Sequence, residues 1–206
     1  MRDLTQTRMC RGAFVVSLTL LVLAAGCGSG GESVGSRIIT TTGRIGALHL
    51  DESDRAAVIA FAGGPDAERR GQESGYAPYH ALGYSCAGTA APTATPLAAD
   101  GPYCHTVFFI NGRSGRLETF FTTADRYSES HGVRIGMPTA VAERLLHKRL
   151  FEGCETNVYL SSATASLTIA FTGGVAHPPN LSVNGGHVYA FVLHSHRTDA
   201  GVFDCL

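Results

Sequence analysis

Apolar positions change period several times along the chain, and each change marks an element. Residues 37–43 carry Ile38-Ile39 and three threonines, a β-prone run, and Ile45, Leu48 and Leu50 predict a short strand. Asp51-Glu52-Ser53-Asp54 then places capping and acidic side chains where a helix start favours them. Residues 55–62 follow with Ala56, Ile59, Ala60 and Phe61 at helical spacing, and Gly63-Gly64-Pro65 ends the helix. Residues 66–74 are polar and read as a solvated loop. Tyr76, Tyr79, Leu82 and Tyr84 predict a partly buried strand leading to Cys86. Residues 87–102 are rich in Ala, Thr and Pro and read as a loop.

The clearest local signal is a hairpin. Residues 103–110 hold Val107, Phe108, Phe109 and Ile110, Asn111-Gly112 opens a turn that Gly115 closes, and residues 117–123 return as a second strand. Residues 124–129 read as a polar connection. Val133 and Ile135 then resemble Leu48 and Leu50, and Pro138 suits the first turn of a helix whose apolar face is Val141, Ala142, Leu145 and Leu146. Strands are predicted at 157–160, 166–172 and 187–196, the last after the Asn184-Gly185-Gly186 turn. Residues 48–57 lie over 133–142 at an offset of 85, each copy running strand, capped helix, cysteine, then strands. The predicted fold is therefore α+β: two tandem repeats, each a short helix plus antiparallel strands, building one sheet with the helices on one face.

The amino terminus has a different pattern. Arg2, Arg8 and Arg11 precede a nearly all-apolar run at 13–25, thirteen residues long. A spanning helix needs roughly 20 apolar residues, so this run reads as a signal peptide rather than an anchor. Leu21-Val22-Leu23-Ala24-Ala25-Gly26-Cys27 resembles a bacterial lipobox, the cleavage and acylation signal of exported lipoproteins. The resemblance implies that Cys27 starts the mature chain and carries a diacylglyceryl group, whose two chains suffice for stable anchoring. The Gly/Ser-rich residues 28–36 then form a flexible tether. The predicted organisation is a signal at 1–26, a lipidated linker at 27–42, and repeats at 43–128 and 129–206.

Composition adds limits. The chain has 16 basic and 17 acidic residues, for a net charge of −1. Arg2, Arg8, Arg11 and Asp3 leave with the signal, so the remaining 180 residues carry 13 and 16, a net of −3. That balance points away from a nucleic-acid partner. Cys86, Cys104, Cys154 and Cys205 follow the lipid site, and an even number in an exported domain predicts two disulfides. Of three pairings, Cys86–Cys104 with Cys154–Cys205 gives one bridge to each repeat. The four lack the close spacing of a zinc site. No phosphate-cradling, dinucleotide or zinc-protease motif occurs, so no cofactor is expected.

Two sets of side chains are candidates for function. His194 and His196 share a strand face, which permits a shared metal or hydrolytic chemistry, with Ser195 and Asp199 nearby. Ser195 lacks the Gly-x-Ser-x-Gly context of an exposed nucleophile. In Phe108-Phe109 and Phe120-Phe121, alternation sends one ring of each pair to each sheet face. An exposed patch of Phe109 and Phe121, bordered by Tyr103, Tyr127, Arg113 and Arg116, would dock a protein.

The repeat order, with Gly43-Arg44-Ile45-Gly46-Ala47-Leu48-His49-Leu50 in one copy and Gly132-Val133-Arg134-Ile135-Gly136-Met137 in the other, resembles the superfamily of β-lactamase-inhibitor proteins and small outer-membrane-assembly lipoproteins. That resemblance implies a disulfide in each half and a concave sheet face that binds protein. The expected function is a lipid-anchored, non-catalytic envelope module with a protein or envelope partner. The alternative is a tethered hydrolase or metal-binding protein using His194 and His196. The anchor is tested by Cys27→Ser in a bacterial host. Labelling by radioactive fatty acid and partition into the membrane fraction should both be lost, and an unchanged partition would remove the lipoprotein assignment.

Overall fold

The structure, a computed structural model, describes residues 37–72, 78–87, 104–148, 151–152, 156–171 and 186–196. The expectations for Cys27, Tyr103, Cys154 and Cys205 lie outside the described residues, which all belong to one compact unit.

The predicted helix at 55–62 is α1 (Arg55–Ala62). Asp54 caps it, its Oδ1 accepting from the Ala57 amide at 2.9 Å, and Gly63 ends it at φ 88°, a left-handed conformation open to glycine. Its buried face differs from the predicted one. Val58 is fully buried, with Ala57, Phe61 and Ala62 packed beside it, while Ala56 and Ala60 are exposed. The second helix, α2 (Thr139–Leu146), starts after Pro138 and buries Ala142 and Leu146, leaving Leu145 exposed.

The strands fall into two sheets. The larger has eight, in the order β4 (Ala67–Gly71), β5 (Tyr79–Cys86), β6 (Cys104–Asn111), β7 (Leu117–Thr122), β12 (Val188–Ser195), β11 (Ala165–Phe171), β10 (Thr156–Ser161) and β9 (Phe151–Glu152). Every neighbouring pair is antiparallel. Chain order runs inward from one edge to β7, and inward from the other edge to β12. The smaller sheet has the order β3 (Leu48–His49), β2 (Arg44–Ile45), β1 (Ile38–Thr40) and β8 (Ser128–Glu129). In it β1 and β8 pair in parallel, Ile39 opposite Glu129.

This corrects the expected α+β arrangement of tandem repeats with one sheet and helices on one face. Among the described residues the protein is mainly β, with twelve strands in two sheets and only two helices of eight residues. The second sheet arises because the β-prone start of the domain meets a segment read as a polar connection. Their pairing spans some ninety positions and leaves no local mark in either segment. The same segment buries Tyr127 completely. The charged residues 67–71 form an edge strand rather than a loop, since an edge position accepts charged side chains.

Both faces of the larger sheet are buried. One carries Phe108, Phe120, Phe191, Leu193 and Leu167, in a core shared with Ile39, Ile45, Val58, Ala142 and Tyr127. The other holds Ala81, Val107, Phe109, Phe121, Ala170 and Val192. Phe109 is 6% exposed and Phe121 fully buried, so the expected exposed aromatic patch does not form. Tyr127 belongs to the opposite core, 5.1 Å from the Phe120 ring.

Cys86 and Cys104, eighteen positions apart, are directly opposite on β5 and β6 and form a disulfide. Gly83 permits it: a Cβ there would lie 2.5 Å from the Cys104 sulfur and 2.9 Å from the Cys86 sulfur. Gly83→Ala should therefore cost about 1–3 kcal/mol in urea unfolding. In a Cys86→Ala, Cys104→Ala background most of that penalty should disappear, and an equal penalty in both backgrounds would show that the sulfurs are not what the methyl group meets.

Candidate functional site

A cavity of about 510 Å³ lies where the β4–β5 edge, the first turn of α1 and the β6–β7 turn meet. Arg70 and His80 stand directly opposite in the β4–β5 register and share a face. Arg55 reaches over from α1, and Glu68 bridges it to His80: Arg55 Nη2 donates to Glu68 Oε1 at 2.6 Å, and His80 Nε2 lies 2.7 Å from Glu68 Oε2. The Arg55 hydrogen bond first, then His80, hold the Glu68 carboxyl below the usual range, against the opposing effect of burial.

The opposite wall is the β6–β7 turn. Asn111 Oδ1 accepts from the Arg113 and Ser114 amides at 2.8 and 3.0 Å, and its Nδ2 donates to both oxygens of Glu118. Burial raises the Glu118 carboxyl above the usual range, while the Asn111 donor opposes the shift. Gly112 donates to the Pro78 carbonyl at 2.5 Å, and a Cβ on Gly112 would stand 2.7 Å from that oxygen. The turn is thus fastened to the start of β5 by a contact only glycine allows. Ile110 also lines the cavity and is 4% exposed.

The structure separates the residues predicted as one docking patch. Arg113 and Arg116 lie together in the exposed β6–β7 turn, beside the cavity; Arg116 Nη1 donates to the Glu52 carbonyl at 2.8 Å and ties the turn to the segment before α1. Phe109, Phe121 and Tyr127 lie in cores. Arg55, Glu68, Arg70 and His80 escaped the sequence reading. Strand pairing joins Glu68, Arg70 and His80 and the packing of α1 adds Arg55, and the Glu68-Arg69-Arg70 run has no apolar alternation to announce a strand.

The β12 candidates also separate. Ser195 is fully buried and donates to Asp51 Oδ2 at 2.5 Å, so it is not an exposed nucleophile. His194 is half-buried, and exposed His196 has its Nε2 2.6 Å from Ser166 Oγ and 3.2 Å from Ser161 Oγ. Among the described residues no three His, Cys, Asp or Glu side chains converge as a metal site, and no helix is long and apolar enough to cross a membrane.

No protein-family model matches this chain, and no curated protein matches it. A solved structure with some likeness is an extracellular protein containing an SCP domain from Bacillus anthracis, at 9% identity and a TM-score of 0.36. The match covers 70% of this chain and 43% of that one, so this chain spans less than half of that protein's length.

The Glu68 bridge has a pH signature. A carboxyl held below its unfolded pKa adds stability above the unfolded value, and that stability fades as pH falls through the folded value. Glu68→Gln should therefore lower the unfolding midpoint at neutral pH by an amount that shrinks steadily below about pH 4. A pH-independent difference between the two proteins in urea titrations would show that the ion pairs do not contribute.

Proposed function

We propose that this protein is an exported, lipid-anchored envelope module without catalytic chemistry, and that the charged cavity at the β4–β5 edge recognises a protein or another envelope component. The observation that carries the reading is the cavity itself: the Gly112–Pro78 contact and the Glu68 bridge tie its lining elements together, and Asp54, Arg55, Arg70 and His80 line it. Export is supported by the Cys86–Cys104 disulfide, which persists in an oxidising compartment, and anchoring by the Cys27 context. The binding surface moves from Phe109 and Phe121 to the turn with Arg113 and Arg116 because the rings are buried.

The test is capture from solubilised envelope by the full chain, beside an Arg70→Glu, Arg113→Glu variant whose urea unfolding matches the wild type. A component retained by the wild type and reduced at least tenfold with the variant is expected. No component distinguishing the two would overturn the reading. One observation favours a hydrolase instead, the Ser166–His196 pair at 2.6 Å. Labelling of Ser166 by a fluorophosphonate, lost in His196→Ala, would establish that alternative.

A further inference from the structure

The chemical group that the cavity accepts follows from which of its charges are already matched. Arg55 and His80 share the Glu68 carboxylate, at 2.6 and 2.7 Å. Asp54 has Oδ1 engaged in capping α1 at the Ala57 amide. Arg70 shares the His80 face, is exposed, and has no ion-pair partner among the described residues. Among the described residues the cavity therefore presents one unmatched guanidinium, a planar group whose paired donors fit a carboxylate in bidentate fashion. Asp54 lines the same cavity and Glu68 shares the β4 face with Arg70, so a second negative charge on a ligand would meet like charges. A singly charged carboxylate matches this arrangement and a phosphate dianion does not.

Shape narrows the ligand further. About 510 Å³ falls within the usual range for small-molecule pockets and far exceeds one carboxylate. Pro78 and Tyr79 line the cavity beside the nearly buried Ile110, offering apolar contact to the remainder of a ligand. On Gly71 a Cβ would stand 2.6 Å from Tyr79 Oη, so this side is closely packed as well.

We propose that the cavity binds a small monocarboxylate carrying an apolar group, with Arg70 taking the carboxylate and Pro78 and Tyr79 meeting the apolar part. This rests on reading the cavity as the binding site. The probes are isovalerate, its uncharged amide and inorganic phosphate, each titrated into the isotopically labelled full chain at constant ionic strength. The amide resonances of Gly71, Gly112 and Gly115 are followed. Saturable shifts are expected with isovalerate and not with the amide. Arg70→Gln should weaken isovalerate at least tenfold. Arg69→Gln, which alternates to the other sheet face opposite Ala81, should leave it within twofold. The assignment is overturned by absence of saturation with isovalerate, by wild-type affinity in Arg70→Gln, or by tighter binding of phosphate. If isovalerate fails while the envelope component still depends on Arg70 and Arg113, the carboxylate assignment falls and the binding reading stands.

Discussion

The pairing of β7 with β12 is the contact on which the rest depends. Four positions are in register, with Phe121 opposite Val192 and Phe120 opposite Leu193. Through it the strands from the first half of the chain and those from the second become one sheet. It also commits both faces at once: Phe120 and Leu193 turn to one core, Phe121 and Val192 to the other. A one-residue slip would exchange the two sets. Beside this seam Thr122 of β7 pairs its hydroxyl with that of Thr106 on β6 at 2.9 Å.

The segment before α1 converts that sheet into a platform for a site. The Asp51 amide donates to the Leu117 carbonyl and the Leu117 amide to the Ser53 carbonyl, both at 2.7 Å, while Asp51 receives the buried Ser195 hydroxyl from β12. Asp51 holds a left-handed backbone at φ 62°, a conformation that aspartate adopts more readily than most residues. These bonds fix where α1 starts, and so where Arg55 meets Glu68. Polar contacts to the central strands thus help place Arg55 in the cavity lining.

Burial on both faces changes what the aromatic residues do. A sheet open to solvent on one side would have offered Phe109 and Phe121 to a partner. Here Phe109 makes an edge contact with Tyr79 at 5.9 Å, and Phe121 is enclosed. Tyr84, on the other face, donates to the Gly63 carbonyl, and burial pushes its hydroxyl up to about 12. The charged groups lie at the edge, where β4 keeps Glu68, Arg69 and Arg70 in water. Charged edges also discourage strand-to-strand aggregation, so Arg70, which lines the cavity, guards the sheet edge as well.

Several features were legible in the sequence because their causes act within a few residues. Asp54 and Gly63 bound α1 by capping and backbone freedom, Asn111-Gly112 and Gly115 shape the β6–β7 turn, and the Cys86–Cys104 pair closes a short span. Helix phase was not legible: Val58, not Ile59, is the buried residue, because the packing partner sets the inward face. The smaller sheet, the enclosure of Phe121 and Tyr127, and the convergence of Arg55, Glu68 and His80 were decided only by tertiary structure. Arg55 and Glu68 are thirteen positions apart and Glu68 and His80 twelve, joined by strand register and helix packing. The chain's local chemistry determined where its elements begin and end. Which side chains stand together was left to long-range pairing, whose free energy depends on surfaces that no single segment contains.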